Sequence, residues 1–165
     1  MYFCDSTKQL THALEHTSNA LRNRRASRSA FSVALTDKLI CVGPYPADST
    51  IIYNHVFVNL DDRYNTSTGI FTAPHSGVYN LALTVYSNSI SPGSRLSMCV
   101  QLMINGVPRG SVNDNNYQDR EDSSSVSFAE RLSVGDQVWV TLRARCFLCD
   151  DSSHRNIFSG FLAYD

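Results

Sequence analysis

Several histidines and cysteines in this chain stand at spacings that could hold a metal ion. His12 and His16 are four residues apart, which places both side chains on one face of a helix. Cys146 and Cys149, followed by His154, give half of a zinc-binding pattern, but no second Cys pair or His pair completes it. We therefore interpret His12 and His16 as solvated side chains and predict no zinc site at the two cysteines.

Catalytic chemistry has no support in the sequence. His55, His75 and His154 stand in turns or at strand edges, without a Ser or Cys nucleophile motif nearby. No glycine-rich phosphate-binding loop occurs either. We predict that the protein is not an enzyme.

Oxygen ligands are concentrated between Asn113 and Asp122, where the chain reads NDNNYQDRED. Calcium takes about six to eight hard oxygen ligands, so such a segment suits it. The segment predicts either a calcium site or a solvated polar loop without an ion. The pairs Asp61–Asp62 and Asp150–Asp151 are interpreted as surface charge.

The length and charge of the chain limit what could position these residues. The 165 residues suffice for one domain with one core, and 42% hydrophobic against 18% charged residues indicates a globular chain. A net charge of −1 argues against a nucleic-acid-binding protein that relies on a broad basic field. No apolar run approaches the roughly 20 residues of a membrane span. We predict neither a nucleic-acid partner nor a membrane span.

The N-terminal residues and the cysteine count bear on the compartment. MYFCDSTKQL lacks the charged region and the long apolar region of a signal peptide, and we expect a mature or trimmed chain. Five cysteines leave at least one without a partner in the chain if the compartment is oxidising. Cys4, alone near the N terminus, is then the candidate for a bond between chains. The alternative is buried, reduced thiols.

Residues 7–23 are predicted to form a helix, because Leu10, Leu14 and Leu21 give one apolar stripe. A helix of this length is unstable alone, so it either docks on the domain or pairs with copies of itself. The basic run RNRRASRS that follows reads as an exposed linker. A processing-protease site and a patch for acidic polysaccharide are its alternatives.

From Ser29 onward the sequence alternates in the manner of short strands, separated by turns rich in Gly, Asn, Asp and Ser. Asn105–Gly106 is a strong tight-turn signal before a strand that starts at Val107. Many short strands with almost no helix predict a sandwich or jelly roll. We divide the chain into an N-terminal segment, 1–28, and one domain, 29–165. The other predicted strands are Ala30–Leu35, Ile51–Tyr53, Val56–Leu60, Gly69–Phe71, Val78–Tyr86, Leu96–Ile104, Ser125–Leu132, Gln137–Arg143 and Ile157–Tyr164.

Three motifs in order give this domain a family resemblance. The first strand AFSV from Ala30, the strand GDQVWV from Gly135 and the last strand FSGFLAY from Phe158 resemble those of the globular head of complement C1q and its relatives. The chain departs from the family at Tyr53, Leu81 and Leu83, where other apolar or aromatic residues are usual. The chain between the first and second of these strands also resembles the family in the spacing of five residues. They are Asn59, Tyr64, Phe71, Gly77 and Tyr79.

The resemblance implies an all-β, ten-stranded, two-sheet jelly-roll sandwich that assembles as a homotrimer. Family members often have a collagen stalk, and this chain has no Gly-x-y repeat, so it is expected to be a stalkless member with a short N-terminal helix. Cys4 would bridge subunits or trimers. Cys99 falls where some relatives carry a disulfide cysteine, and either Cys146 or Cys149 would be its partner, with Cys146 preferred.

The resemblance also implies a function, in one of two forms. The first is a secreted, extracellular pattern-recognition protein whose trimeric head binds microbial or cell-surface polysaccharide or lipopolysaccharide by avidity in innate immunity. The second is a cerebellin-like signalling or adhesion ligand that binds a protein receptor. Similarity places a possible calcium site at Asp114 and Asp122, and Asn65 begins a glycosylation sequon. The expected ligand contacts are the loop residues Asn88, Arg95, Arg109, Asn115, Tyr117, Arg120 and Arg155.

Overall fold

A computed structural model of the chain describes residues 10–19, 28–88, 96–116 and 121–165. Residues 10–19 are helical, within the predicted 7–23, and all of them are exposed. Leu10 and Leu14, on the predicted apolar stripe, are each 63% exposed. The stripe is therefore not buried against the described part of the domain. Cys4 and Leu21 lie outside the described residues.

The described part of the domain is built from β-strands and one short 3-10 helix, Leu60–Asp62. The strands of the described residues are β1 Ala30–Ala34, β2 Ile40–Val42, β3 Ser49–Thr50, β4 His55–Asn59, β5 Tyr64–Asn65, β6 Ile70–Thr72, β7 Gly77–Asn88, β8 Leu96–Ile104, β9 Val107–Asn116, β10 Glu121–Leu132, β11 Gln137–Leu142, β12 Leu148–Asp150 and β13 Ile157–Tyr164.

Two antiparallel sheets carry ten of these strands. One has the order β10-β7-β13-β1-β4, and the other has the order β5-β6-β11-β8-β9. The short strand β3 adds to β11 in the second sheet, and β12 pairs with β2 in a small separate sheet. This arrangement is the predicted two-sheet jelly roll, with its ten main strands.

Alternation explains why the two sheets face each other. In β7, β8 and β11, buried and half-buried residues alternate along the strand, so one face of each sheet lies in the core. Phe31 of β1 lies among aromatic rings, with its ring centroid 4.4 Å from that of Phe71 and 4.7 Å from that of Phe158. Gly160 is required beside it, because a Cβ there would lie 2.7 Å from the Phe31 ring.

The residues of the family spacing serve this core. The Asn59 side chain accepts the Tyr64 N–H at 2.9 Å and donates to the Tyr64 carbonyl at 2.8 Å. The Tyr64 hydroxyl accepts the Tyr53 N–H at 3.0 Å and donates to the Tyr53 carbonyl at 3.1 Å. Burial raises the pKa of Tyr64 to about 12. The Tyr64 hydroxyl thus takes the place of a partner strand for the backbone of Tyr53, which lies outside the strands.

The prediction of a strand at Ile51–Tyr53 is wrong, because the Tyr64 side chain takes the place of a partner strand at Tyr53. Ile51 and Tyr53 are buried, as the sequence suggests, but residues 51–54 have no strand pairing. The Ile51 N–H donates to the Val140 carbonyl at 2.8 Å, while Tyr53 bonds to a side chain. Apolar, β-branched residues predict burial in an extended segment, and they do not specify a partner strand.

Two disulfides join segments of the described residues that are far apart in the sequence. Cys99 is bonded to Cys146, the pairing that the resemblance favoured. A second bond joins Cys41 to Cys149, across 108 residues of sequence, where β2 and β12 pair. That second bond was not predicted, since neither cysteine stands in a motif that marks its partner.

Candidate functional site

A buried carboxylate organises the turn between β12 and β13. Asp150 is only 2% exposed, so its interpretation as surface charge is wrong. Its Oδ1 accepts the N–H groups of Asp151 and Arg155, both at 2.9 Å, and its Oδ2 accepts the Asn156 N–H at 3.1 Å. A buried carboxylate requires such donors, because an unpaired buried charge is costly.

Asn156 continues this network into the neighbouring strand. Its side chain is fully buried, accepts the Tyr86 N–H at 2.8 Å and donates to the Cys149 carbonyl at 2.9 Å. Asp150 and Asn156 together fix the backbone from which His154 and Arg155 project. The side chains of those two residues reach the protein surface.

Arg155 lies over an aromatic ring at the edge of an open groove. Its guanidinium carbon is 4.4 Å from the centroid of the Tyr86 ring, within the range of a cation–π contact. One guanidinium nitrogen lies 3.6 Å from the Glu121 carboxylate, to which the Tyr86 hydroxyl donates at 2.8 Å. Burial, and then the hydrogen bond to Glu121, raise the pKa of Tyr86.

The groove has a volume of about 560 Å³ and displays both charges and hydroxyls. The Arg155 side chain remains 41% exposed and that of Glu121 67% exposed, so both are accessible to a ligand. Such a surface suits a polar ligand that is rich in hydroxyl groups, since carboxylates accept hydrogen bonds from hydroxyls and guanidinium donates them to ligand oxygens. Its lining residues are Thr84, Tyr86, Glu121, Asp122, Ser123, His154, Arg155 and Ile157.

The expected ligand residues are spread over the domain. Asn88 pairs with Glu121 across β7 and β10, which places it at the same end as Arg155. Arg109 is exposed near the start of β9, beside the turn at Asn105–Gly106. The backbone of Asn115 pairs with Ser97. Arg95, Tyr117 and Arg120 lie outside the described residues.

The residues expected to bind calcium are on strands and not in a loop. Asp114 pairs with Met98 in one sheet, and Asp122 pairs with Ser87 in the other. The Asp122 Oδ1 accepts the N–H of Ser123 at 2.6 Å. In the described part of the chain, no group of three or more close acidic, His or Cys ligands includes either aspartate.

A second cluster of polar groups adjoins the groove, and no sequence pattern indicated it. Asp37 Oδ1 lies 2.7 Å from His55 Nδ1 and 2.6 Å from His154 Nε2. The two imidazole rings stack with centroids 4.2 Å apart. Hydrogen bonds from His154 and then His55 lower the pKa of Asp37 below its ordinary value. The three residues come from separate parts of the sequence, so spacing alone does not reveal them.

The face of the first sheet that points away from the core is lined by small residues. On β10, exposed residues alternate with half-buried ones, and Ala129 and Ser127 pair with Asn80 and Ala82 of β7. Large apolar side chains lie on other strands of the same sheet. Phe161 on β13 is 50% exposed and Val58 on β4 is 41% exposed. We call this surface of the first sheet the outer face.

The structure is compatible with glycosylation at Asn65, because this residue is accessible to solvent. Asn65 is exposed at the end of β5, and its Oδ1 accepts the N–H groups of Ser67 at 2.8 Å and Thr68 at 3.2 Å.

In the described part of the chain no helix has the length and apolar character to cross a membrane.

The comparisons with known proteins agree on one family. A family model described as the C1q domain matches residues 30–163. The chain is 32% identical over 143 residues to complement C1q and tumor necrosis factor-related protein 9 of Mus musculus, covering 83% of this chain and 39% of that protein. It is 30% identical over 121 residues to one of the complement C1q subcomponent proteins of Rattus norvegicus, covering 73% and 46%. The chain thus spans less than half of either relative.

Solved structures have the same fold at lower sequence identity. The globular domain of zebrafish complement 1qA superimposes with a TM-score of 0.59 at 20% identity, over 83% of this chain and 98% of that one. Murine APRIL superimposes with a TM-score of 0.57 at 12% identity, over 82% and 98%. At these identities the superpositions support the jelly-roll fold alone.

Proposed function

This chain belongs to the C1q domain family, and from that premise we propose a secreted, non-catalytic recognition protein. Its head would be a homotrimer that binds microbial or cell-surface glycans, including lipopolysaccharide, in innate immunity. The observation that carries the proposal is the groove in which Arg155, Glu121 and Tyr86 lie together. Weak binding at one groove becomes effective when three copies act on a repeated surface ligand.

The outer face supports the trimer. Its small side chains let another protomer approach closely, while Phe161 and Val58 supply apolar area that is exposed in a single chain. Apolar area that is removed from water contributes about 25 cal/mol per Å², so its burial between protomers favours assembly. Between Ser123 and Ala129 the exposed positions of β10 carry no charge, so no charged group would have to be desolvated there on assembly.

The disulfides support a location outside the cell. Two intrachain disulfides are unusual in a reducing cytosol and common in secreted proteins. We propose that Asn65 carries an N-linked glycan and that Cys4 forms a bond between chains. A shift in mass after glycosidase treatment, and an oligomer that is reduced to single chains only by a thiol, would support these two proposals.

A glycan array tests the proposed ligand class. We expect the purified protein to bind anionic glycans or lipopolysaccharide, and a soluble competing saccharide to abolish the signal. Arg155→Ala should reduce binding at least tenfold, because it removes the cation of the groove. Arg63→Ala is the matched control, since Arg63 is an exposed arginine that does not line the groove, and it should leave binding unchanged.

A flat array, on which no glycan gives a binding signal, would contradict the glycan proposal. A single hit in a screen of receptor ectodomains, together with a flat array, would favour the cerebellin-like alternative. Equal losses in Arg155→Ala and Arg63→Ala would mean that binding depends on general positive charge and not on the groove.

Calcium binding is a separate proposal. We propose that Asp114 and Asp122 contribute oxygen ligands to a calcium site. Binding or assembly that is lost with a chelator, restored by calcium and insensitive to magnesium would support it. Identical behaviour of Asp122→Asn and the unchanged protein in that assay would contradict it.

A further inference from the structure

We propose that Asp37, His55 and His154 form a binding site for a divalent transition-metal ion, with zinc as the ion of choice. This site is independent of the glycan proposal and of the cysteines. Its three ligand atoms already lie within 4.8 Å of one another. Two imidazole nitrogens and one carboxylate oxygen are a common set of protein ligands for zinc.

The geometry brings the donor atoms to a common point. Both imidazoles direct a ring nitrogen at the same oxygen, Asp37 Oδ1, at 2.7 and 2.6 Å. In a tetrahedral site the metal lies about 2.0 Å from each nitrogen and oxygen. Small outward shifts of the three side chains would place an ion between them. Asp37 has room to move, because its side chain is 61% exposed.

Backbone pairing and hydrogen bonds position the three segments that carry these side chains. His55 begins β4 and pairs with Ala34, the last residue of β1. Between β1 and Asp37, the Leu35 N–H donates to the Asn156 carbonyl at 3.0 Å. His154 has a φ of 53°, a conformation that few side chains adopt, and its N–H donates to the Asp151 carbonyl at 3.1 Å.

An aromatic neighbour restricts the imidazoles further. The Phe57 ring meets the His55 ring edge-on at 4.7 Å and the His154 ring at 5.3 Å. The His55 and His154 side chains are only 27% and 21% exposed. Preorganised, partly buried imidazoles bind a metal with a smaller loss of side-chain entropy than surface histidines do.

The choice of ion follows from the ligand types. Calcium and magnesium prefer all-oxygen sites, so two imidazoles disfavour them. Imidazole suits zinc, copper and nickel. Three protein ligands leave a fourth position for water or for a group from a bound molecule. His154 also lines the groove, so an ion would lie beside the surface proposed for ligand binding.

Calorimetric titration of the whole chain with zinc chloride tests the proposal. We expect one zinc per chain at this site, and a tetrahedral cobalt absorption spectrum when cobalt replaces zinc. Asp37→Asn and His154→Gln should each weaken zinc binding at least tenfold. Calcium at equal concentration should produce no heat at this site.

The exposed pair on the helix provides the matched control. His12 and His16 could also bind zinc, so the double variant H12Q/H16Q must be titrated in parallel. Retention of the one-to-one event in that variant, with loss in Asp37→Asn, supports the proposed site. Loss in H12Q/H16Q alone, or undiminished binding in both Asp37→Asn and His154→Gln, overturns it.

A thermal melt distinguishes a variant that has lost the zinc site from a variant that has lost its fold. Asp37 is exposed, so Asp37→Asn should melt close to the unchanged protein without metal. Zinc should raise the melting temperature of the unchanged protein and not that of Asp37→Asn. An equal rise in both proteins would overturn the proposal even if the titration were ambiguous.

Discussion

Two buried tyrosines show how the same residue type takes opposite roles a few residues apart. The Tyr64 hydroxyl satisfies both the N–H and the carbonyl of Tyr53. The Tyr53 hydroxyl is buried and has no hydrogen-bond partner among the described residues. Burial accordingly raises the pKa of Tyr53 well above its ordinary value. One hydroxyl therefore stabilises the fold, and the other costs free energy.

We predict opposite effects of removing the two hydroxyls. Tyr64→Phe leaves the buried Tyr53 N–H without a partner and should cost about 1–3 kcal/mol of unfolding free energy. Tyr53→Phe removes an unsatisfied polar group and should be neutral or stabilising by up to about 1 kcal/mol. Urea unfolding of both variants measures the difference. Equal destabilisation would contradict the prediction.

Among the structural elements, turns connect strands that are far apart in the sequence. Asp136, between β10 and β11, accepts the Ser133 N–H at 2.8 Å and the Asn105 side-chain amide at 2.9 Å. Asn105 belongs to the turn between β8 and β9, and its own Oδ1 accepts the Gln137 N–H at 2.9 Å. The two turns at this end of the second sheet are thereby joined by side chains.

This connection should depend on pH. The Ser133 N–H, and then the Asn105 amide, lower the pKa of Asp136. The unfolded chain binds the proton at a higher pH than the folded one, so this carboxylate stabilises the fold above about pH 4 and loses that effect as the pH falls through its folded pKa. The contribution at pH 7 should stay below about 1 kcal/mol, because the turn is solvated.

Asp136→Asn provides the measurement. We expect the variant to be less stable than the unchanged protein at pH 7 and the difference to shrink at pH 3. Urea midpoints at the two pH values give that comparison. A difference of the same size at both values would show that the carboxylate charge is not what stabilises the turn.

For the molecule as a whole, one exposed surface determines whether three grooves can act together. The outer face has small side chains on β10 and β7 and large apolar side chains on β13 and β4, and these apolar side chains are exposed in the described part of a single chain. A protomer whose groove binds weakly depends on assembly to hold a repeated ligand. Assembly and ligand binding should consequently fail together.

A charge on the outer face should separate the protomers. Ala129→Arg places a long cation at an exposed position, so it should leave the single chain folded and reduce the mass in solution from about three times 18.4 kDa to one. Light scattering coupled to size-exclusion chromatography gives the mass. Ser111→Arg, an exposed residue on β9 of the other sheet, is the control and should stay trimeric.

If both variants keep the mass of the unchanged protein, the outer face is not the interface. If the unchanged protein is itself a monomer, avidity is excluded as the mechanism of binding.

Local patterns in the sequence were enough to predict the fold class and most of the strands. Alternation along β7, β8 and β11 reports which side chains are buried, and burial of alternate side chains is a local property of an extended chain. The family motifs then identified the jelly roll, because Asn59, Tyr64 and Gly160 meet requirements of the core that few other residues satisfy. These features need no knowledge of distant contacts.

Which distant residues meet is a property of the folded chain alone. Asp37, His55 and His154 converge because β1, β4 and the turn before β13 are neighbours in one sheet, although up to 117 residues separate them. The Cys41–Cys149 bond and the burial of Asp150 arise in the same way, from packing between segments that share no local pattern. Antiparallel pairing brings such segments together, and sequence periodicity carries no information about which segments will pair.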